Sequence, residues 1–441
     1  TLQYPSYLPL MKYCEDRDLR ETVYKAFSTR AAEFDGGKFD NTPLIREILE
    51  LRAEEAKLLG FPNYGKLSLA VKMASSGDEV LAFLRDLAKH AKPAAERDMA
   101  ELRAFAKDEL GLAELCAWDQ AWASEKLREA RYSYSDAEVK RYFTEPTVFA
   151  GLFGLVETLY GIKIEEAEAS VWHPDVKFFV VKRNGETIAE FYADLYAREG
   201  KRSGAWMDGE RTRRIEDGKL ITPIAYLVTN FAAPQAGREA TMTHDEVTTL
   251  FHEFGHALHG LLSQCTYNKV SGTSVPRDFV ELPSQIMENW AADPEVLKVS
   301  ARHYKTGEPI PQELIDKLKN SGHFNQGFVT TEFMAAALLD MAYHTRNTTD
   351  PVNPNEFEKA TLEKIGLIPE ITVRYRSPYF QHIFAGGYSS GYYAYTWAEV
   401  LDADAFEAFK ETGNIFNPEK AKAFRENILS KGGSEDAMTL Y

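Results

Sequence analysis

The chain has 441 residues, 44% of them apolar, enough to bury a large core in one or two domains. Its net charge of −16 disfavours nucleic acid or an anionic membrane as partner, since both attract clustered Lys and Arg, and suits cationic peptides better. The three cysteines, Cys14, Cys116 and Cys265, are too scattered for a disulfide framework or a CxxC site, which points to a reducing compartment.

The first residues, TLQYPSYLPLMKYCEDRD, carry no basic segment followed by an apolar one. No run approaches the ~20 apolar residues of a membrane span, so a soluble, cytoplasmic protein is expected. Leu44–Leu59, Val80–Ala91 and Ala94–Leu112 repeat apolar residues at the helical period, with Pro62, Pro93 and Pro146 as punctuation. Residues 1–150 are therefore expected to form a helical lobe whose apolar side chains serve packing.

Between about 170 and 235 the period changes. VKFFVVK and TIAEFYADL flank Arg-Asn-Gly-Glu, a hairpin signal with Asn184-Gly185 at the turn. LITPIAYLVTNF follows as a strand-like run that Pro223 confines to an edge or a strand start. A small antiparallel sheet is expected here. An edge strand within 221–231 would hold an extended peptide by main-chain hydrogen bonds; bracing the helices is the plainer alternative. From 244 onward the pattern is helical again, and no repeat or low-complexity tract interrupts it.

Residues 252–256 read His-Glu-Phe-Gly-His. Imidazoles at i and i+4 project from one helix face and are able to share a metal ion, while Glu253 beside them is placed to act as a general base. The segment Asp245–Leu262 has a helical apolar period, and Thr243 and Glu246 form a capping-box pattern at its start. Gly255 costs this helix about 1 kcal/mol relative to alanine, which suggests close packing against that turn. A catalytic zinc takes a third protein ligand, and four residues compete for the place. His259 is seven residues beyond His252, about 10.5 Å along the axis, too far for one ion with bonds of about 2.0–2.1 Å. His244 fails by the same length argument. Glu281 and Glu288 lie on a second expected helix, Asp278–Ala292. Both qualify by residue type, with Glu281 somewhat ahead because it lies nearer the returning loop.

THDEVTTLFHEFGHALH (243–259) followed by SGTSVPRDFVELPSQIMENW (271–290) resembles the thimet oligopeptidase / oligopeptidase A family of zinc metallopeptidases, with the bacterial oligopeptidase A branch most alike. VWHPDVKFF, FYADLYAREGKRSGAWMD, PIAYLVTNF and HIFAGGYSSGYYAYTWAEVL fall in the family's order, so the resemblance covers the whole chain. It implies one peptidase catalytic region over 1–441. The fold it implies is mainly α, a zincin-type arrangement with the small sheet beside the HExxH helix, and 151–441 is the zinc-binding lobe. It implies one Zn²⁺ per chain on His252, His256 and Glu281, with Glu288 orienting a ligating histidine. The first residues match an interior part of an oligopeptidase A and the last ones stop short of its end, so an N-terminal helical portion and a C-terminal segment are expected to be missing.

The stretch from His382 to Tyr395 sets glycines and serines among four tyrosines, the composition of a mobile loop carrying phenol donors. Peptide hydrolysis passes through an oxyanion, which such donors stabilise. By resemblance His382, Tyr388 and Tyr395 bind substrate and stabilise the transition state, with Tyr392 a weaker candidate; Tyr393 reads as packing. The expected activity is zinc-dependent endopeptidase cleavage of short oligopeptides, with Glu253 as base. Two alternatives stand beside it: a dipeptidyl carboxypeptidase, needing a cation such as Arg374 or Arg376 for the substrate carboxylate, and a truncated, inactive peptide-binding relative. A structural zinc site is weaker, because such sites use four ligands rich in cysteine.

Overall fold

The computed structural model describes residues 1–35, 37–235, 239–348 and 350–441. It divides into two compact units: one of residues 1–2, Ser6–Ser133 and Ser321–Tyr395, the other of Gln3–Pro5, Tyr134–Asn320 and Thr396–Tyr441. The units do not follow the expected split near residue 150. The helix Glu145–Tyr160 falls in the second unit, and the chain returns to the first at Ser321. Such a return is a non-local pairing that no local pattern encodes.

The first unit is built on the helices Gly77–Asp108 and Gln326–His344, packed side by side. Gly327 lies against the Ala94–Ala95 backbone, an approach that a larger side chain would block. Ala95, Met99, Leu102 and Ala106 form one side of a core completed by Trp122, Leu127, Ile368 and Ile371. The two helices expected at Val80–Ala91 and Ala94–Leu112 are thus one, with Pro93 inside it. Proline removes one backbone donor, and here tertiary packing on both sides of the residue outweighs that loss. Pro146 does not break a helix either: it occupies the first turn of Glu145–Tyr160, where its missing N–H is without cost.

The second unit holds a five-stranded sheet in the order β1-β2-β3-β7-β4. Its strands are β1 (Lys163–Ala167), β2 (Lys177–Arg183), β3 (Glu186–Tyr196), β4 (Trp206–Arg211) and β7 (Ile224–Phe231). The short strands β5 (Arg214–Glu216) and β6 (Lys219–Ile221) pair separately. The β2–β3 hairpin turns at Asn184 and Gly185, both at positive φ (52° and 84°), the two-residue turn that fits strand twist. The sheet is mixed rather than antiparallel, because β3 and β7 run parallel. β7 is also not an edge: β3 and β4 flank it, and Pro223 immediately precedes its first residue. The outer strand next to it is β4.

Asp194 on β3 ties two of the family-like segments together. Its carboxylate accepts from Trp172 Nε1 (3.0 Å), from Arg198 (2.6 and 2.8 Å) and from Lys201 (2.9 Å). The sheet face toward the helices is aromatic: Phe191 stacks on Phe179 and meets Phe254 of the helix His244–Leu261 at 5.4 Å between ring centres. That contact sets the height of this helix over the sheet.

Candidate metal centre and aromatic cluster

The helix His244–Leu261 begins with the expected capping box: Glu246 N–H donates to Thr243 Oγ1 (3.1 Å) and Thr243 N–H to Glu246 Oε2 (2.8 Å). At Gly255 the start of the helix Leu282–Ala291 presses onto its backbone. A Cβ on Gly255 would sit 2.6 Å from Ser284 Cα and closer still to the Pro283 carbonyl oxygen. This explains the glycine, and it brings Glu281 to the two histidines. The second helix begins four residues later than the sequence suggests, with Pro283 in its first turn, where the missing N–H is without cost. Glu281 is therefore its N-cap residue, preceded by a turn, and its side chain is 1% exposed.

Glu281 Oε2 lies 3.3 Å from His252 Nε2 and 3.1 Å from His256 Nε2. Ser284 Oγ donates to the same carboxylate oxygen at 2.9 Å. One ligand-type atom from each of His252, His256 and Glu281 lies within 4.8 Å of the others, the one such group found among the described residues. Two imidazole nitrogens and a carboxylate oxygen converging in a buried place fit a divalent ion such as zinc. Glu288 Oε1 accepts from His252 Nδ1 at 2.6 Å, which turns the Nε2 of that ring toward Glu281.

Burial by itself would lower the His252 imidazole, but hydrogen bonds to Glu281 and Glu288 hold it well above the ordinary histidine value. Burial would raise Glu281; His256 and His252 hold its carboxyl well below the usual range. Glu253 is buried within the field of these groups, and burial pushes its carboxyl up against the opposing pull of His252 and His256. A raised carboxyl beside histidines is suited to moving a proton.

The other histidines of the segment do not join the group. His259 is fully buried, neither ring nitrogen has a protein partner, and burial together with His256 pushes it down to about 3. His244 Nε2 faces the Ala291 carbonyl oxygen at 3.2 Å. Asp402 was not singled out in the sequence. Asn289 Nδ2 donates to its Oδ1 at 3.0 Å. Burial, opposed by that bond and reinforced by Glu288 and Glu399, pushes its carboxyl up to about 7. WAEVLDAD reads locally as an ordinary acidic helix face, so no signal marked it.

In the first unit His382, Tyr388, Tyr392 and Tyr395 form one aromatic cluster. Tyr388 and Tyr395 stack at 5.1 Å, and His382 lies 5.9 Å from Tyr388, 5.4 Å from Tyr392 and 6.3 Å from Tyr395. Tyr388, Tyr395 and His382 are half-buried, whereas Tyr392 is 2% exposed and stacks on Phe333. Tyr393 is wholly buried. Arg376 is committed to Glu358 Oε1 (3.0 Å) and to the Ser28 carbonyl (3.1 Å), while Arg374 is exposed beside Tyr375.

A helix-rich fold with paired histidines on one helix and a carboxylate from the next is the arrangement of a zincin-type metallopeptidase. The model of peptidase family M3 matches residues 10–441, and the chain belongs to that family. It is 48% identical over 453 residues to oligopeptidase A of Salmonella typhimurium and 48% identical over 448 residues to oligopeptidase A of Escherichia coli. Each alignment covers 100% of this chain and 66% of the relative, so the chain spans about two thirds of their length. The dipeptidyl carboxypeptidase of Escherichia coli is 40% identical over 440 residues, covering 98% of this chain and 64% of its own.

Proposed function

We propose that the protein is a zinc-dependent endopeptidase that hydrolyses peptide bonds in short oligopeptides. The observation that carries this reading is the convergence of His252, His256 and Glu281 with the buried Glu253 one residue from the first of them. His252, His256 and Glu281 would hold one zinc ion. A bound zinc supplies a Lewis acid that polarises the scissile carbonyl and brings water within reach of deprotonation near neutral pH. Glu253 takes the proton from the attacking water and delivers it to the leaving amine, a role its raised carboxyl favours. Glu288 keeps the His252 ring in register. His382, Tyr388 and Tyr395 donate to the developing oxyanion, as the family likeness implies. The outer edge of β4, which pairs with no further strand among the described residues, offers main-chain partners for an extended substrate.

The oligopeptidase A relatives favour endopeptidase cleavage; the more distant dipeptidyl carboxypeptidase keeps the second reading in view. Of its two candidate cations, Arg376 is paired with Glu358 and Arg374 stands exposed beside Tyr375. A cytoplasmic location belongs to the same proposal, supported by the scattered cysteines. The test is incubation with oligopeptides amidated at the C-terminus, with and without a zinc chelator, and identification of the products by mass spectrometry. Chelator-sensitive internal cleavage is expected. Products that appear only from peptides with a free carboxylate, two residues from their end, would replace endopeptidase with dipeptidyl carboxypeptidase. No zinc-dependent product from any peptide would leave a peptide-binding relative.

A further inference from the structure

Asp340 lies on the helix Gln326–His344, is fully buried, and has no place in the chemistry above. Its carboxylate collects three consecutive backbone N–H groups of the tyrosine-rich segment. Ser390 donates to Oδ1 at 2.8 Å, and Gly391 and Tyr392 donate to Oδ2 at 2.9 Å each. Ser390 holds a positive φ of 49°, which turns its N–H toward the carboxylate and is strained for a residue with a Cβ. His344 Nδ1 donates to Oδ1 at 2.8 Å, and its Nε2 accepts from Arg52 Nη1, also at 2.8 Å, because a guanidinium only donates. The same Arg52 nitrogen donates to the Ile383 carbonyl at 2.8 Å. The chain Arg52–His344–Asp340 thus grips the segment at two places, next to His382 and just beyond Tyr388.

We infer that Asp340 is a positioning residue for hydrolysis, fixing residues 390–392 so that Tyr388, Tyr395 and His382 keep one mutual geometry. A carboxyl group buried this deeply persists where hydrogen bonds satisfy it, and three of the four N–H groups that reach its side-chain oxygens come from the 390–392 backbone. Tyr64 Oη and Ser389 Oγ (3.1 Å) and the bond from Ser68 Oγ to the Ser389 carbonyl (2.8 Å) secure the preceding residue. The glycine-rich composition suggested a mobile loop; at 389–392 the backbone is instead fastened at every residue.

The inference rests on the reading that the tyrosines serve the transition state, and the experiment separates the two. Asp340→Asn keeps the shape but places a donor against donors. kcat and KM are measured for it, for Tyr388→Phe/Tyr395→Phe, and for the combined variant. Asp340→Asn is expected to lower kcat roughly 10–100-fold with KM little changed, and to cost less than about twofold further in the double-Phe background. Equal losses in both backgrounds would make Asp340 a structural residue only and overturn the inference. Normal turnover in the double-Phe protein would instead remove the reading beneath it. Independently of activity, backbone amide exchange at 388–395 should quicken at least tenfold in Asp340→Asn while the rest of its unit is unchanged; unchanged exchange at 388–395 overturns the inference. If Asp340→Asn does not fold, Arg52→Gln, which cuts the bonds to His344 and Ile383, carries the same measurements.

Discussion

His252 Nδ1 stands 2.6 Å from Glu288 Oε1, and the opposite nitrogen of the same ring stands 3.3 Å from Glu281 Oε2. One imidazole therefore links a carboxylate behind it to a carboxylate before it, and the bond to Glu288 fixes its orientation. Glu288→Gln should leave one zinc per chain at saturation but weaken zinc affinity about 10–100-fold. Competition with a chromogenic chelator measures this. An unchanged affinity would mean that the ring is held by packing alone.

Glu253→Gln should retain zinc and the parental melting temperature while hydrolysis falls about 10²–10⁴-fold. The side chain is buried one position from a proposed ligand, and the amide preserves its shape while removing its basicity. Activity within tenfold of the parent would show that another group accepts the proton.

Much of this centre was legible because its signals are local. The HExxH spacing, the Thr243–Glu246 capping box and the Asn184-Gly185 turn each lie within a few residues, and backbone geometry decides them. What was not legible depends on contacts distant in sequence. That β7 lies inside the sheet follows from its parallel pairing with β3, more than thirty residues back in the chain. Pro93 stays within a helix because partners more than two hundred residues away pack on either side of it. Asp340 reads as one of two acids, with Glu332, on a largely apolar helix, and only the fold brings Ser390, Gly391 and Tyr392 to it. Glu281, the residue favoured as third ligand chiefly by the family resemblance, stands at an N-cap rather than within the helix.

Asp194 gives the protein a predictable acid limb. Burial alone would raise its carboxyl, but hydrogen bonds from Arg198, Lys201 and Trp172 overcome this and hold it at about 2. The folded value lies below the unfolded one of about 3.9. The protonated fraction is thus larger in the unfolded chain, and stability rises with pH across this window. The contribution, on the order of 2–3 kcal/mol, is complete above about pH 5 and is lost as pH falls through 2. Thermal unfolding of Asp194→Asn between pH 7 and 3 should start lower and show a shallower acid slope. Identical slopes in the two proteins would exclude Asp194 as a source.

Gly255→Ala is the substitution that most directly tests how the metal centre is assembled. The new Cβ would meet the Pro283 carbonyl oxygen and Ser284 Cα, both backbone atoms, so no side-chain rotation relieves the clash. Alanine is the better helix former by about 1 kcal/mol, and on an open helix face the change would stabilise. Here overpacking should outweigh that gain, with a net loss of about 1–3 kcal/mol. The start of the helix Leu282–Ala291 must move away, and it takes with it Glu281, whose Oε2 now lies 3.1 Å from His256 Nε2. Zinc affinity should therefore fall along with stability, even though no proposed ligand has been altered. Unfolding midpoints of the zinc-free protein and zinc titrations give the two quantities separately. Lower stability with parental zinc affinity would show that Glu281 follows the histidines without the close helix contact, and a more stable protein would show that the two backbones have room to separate.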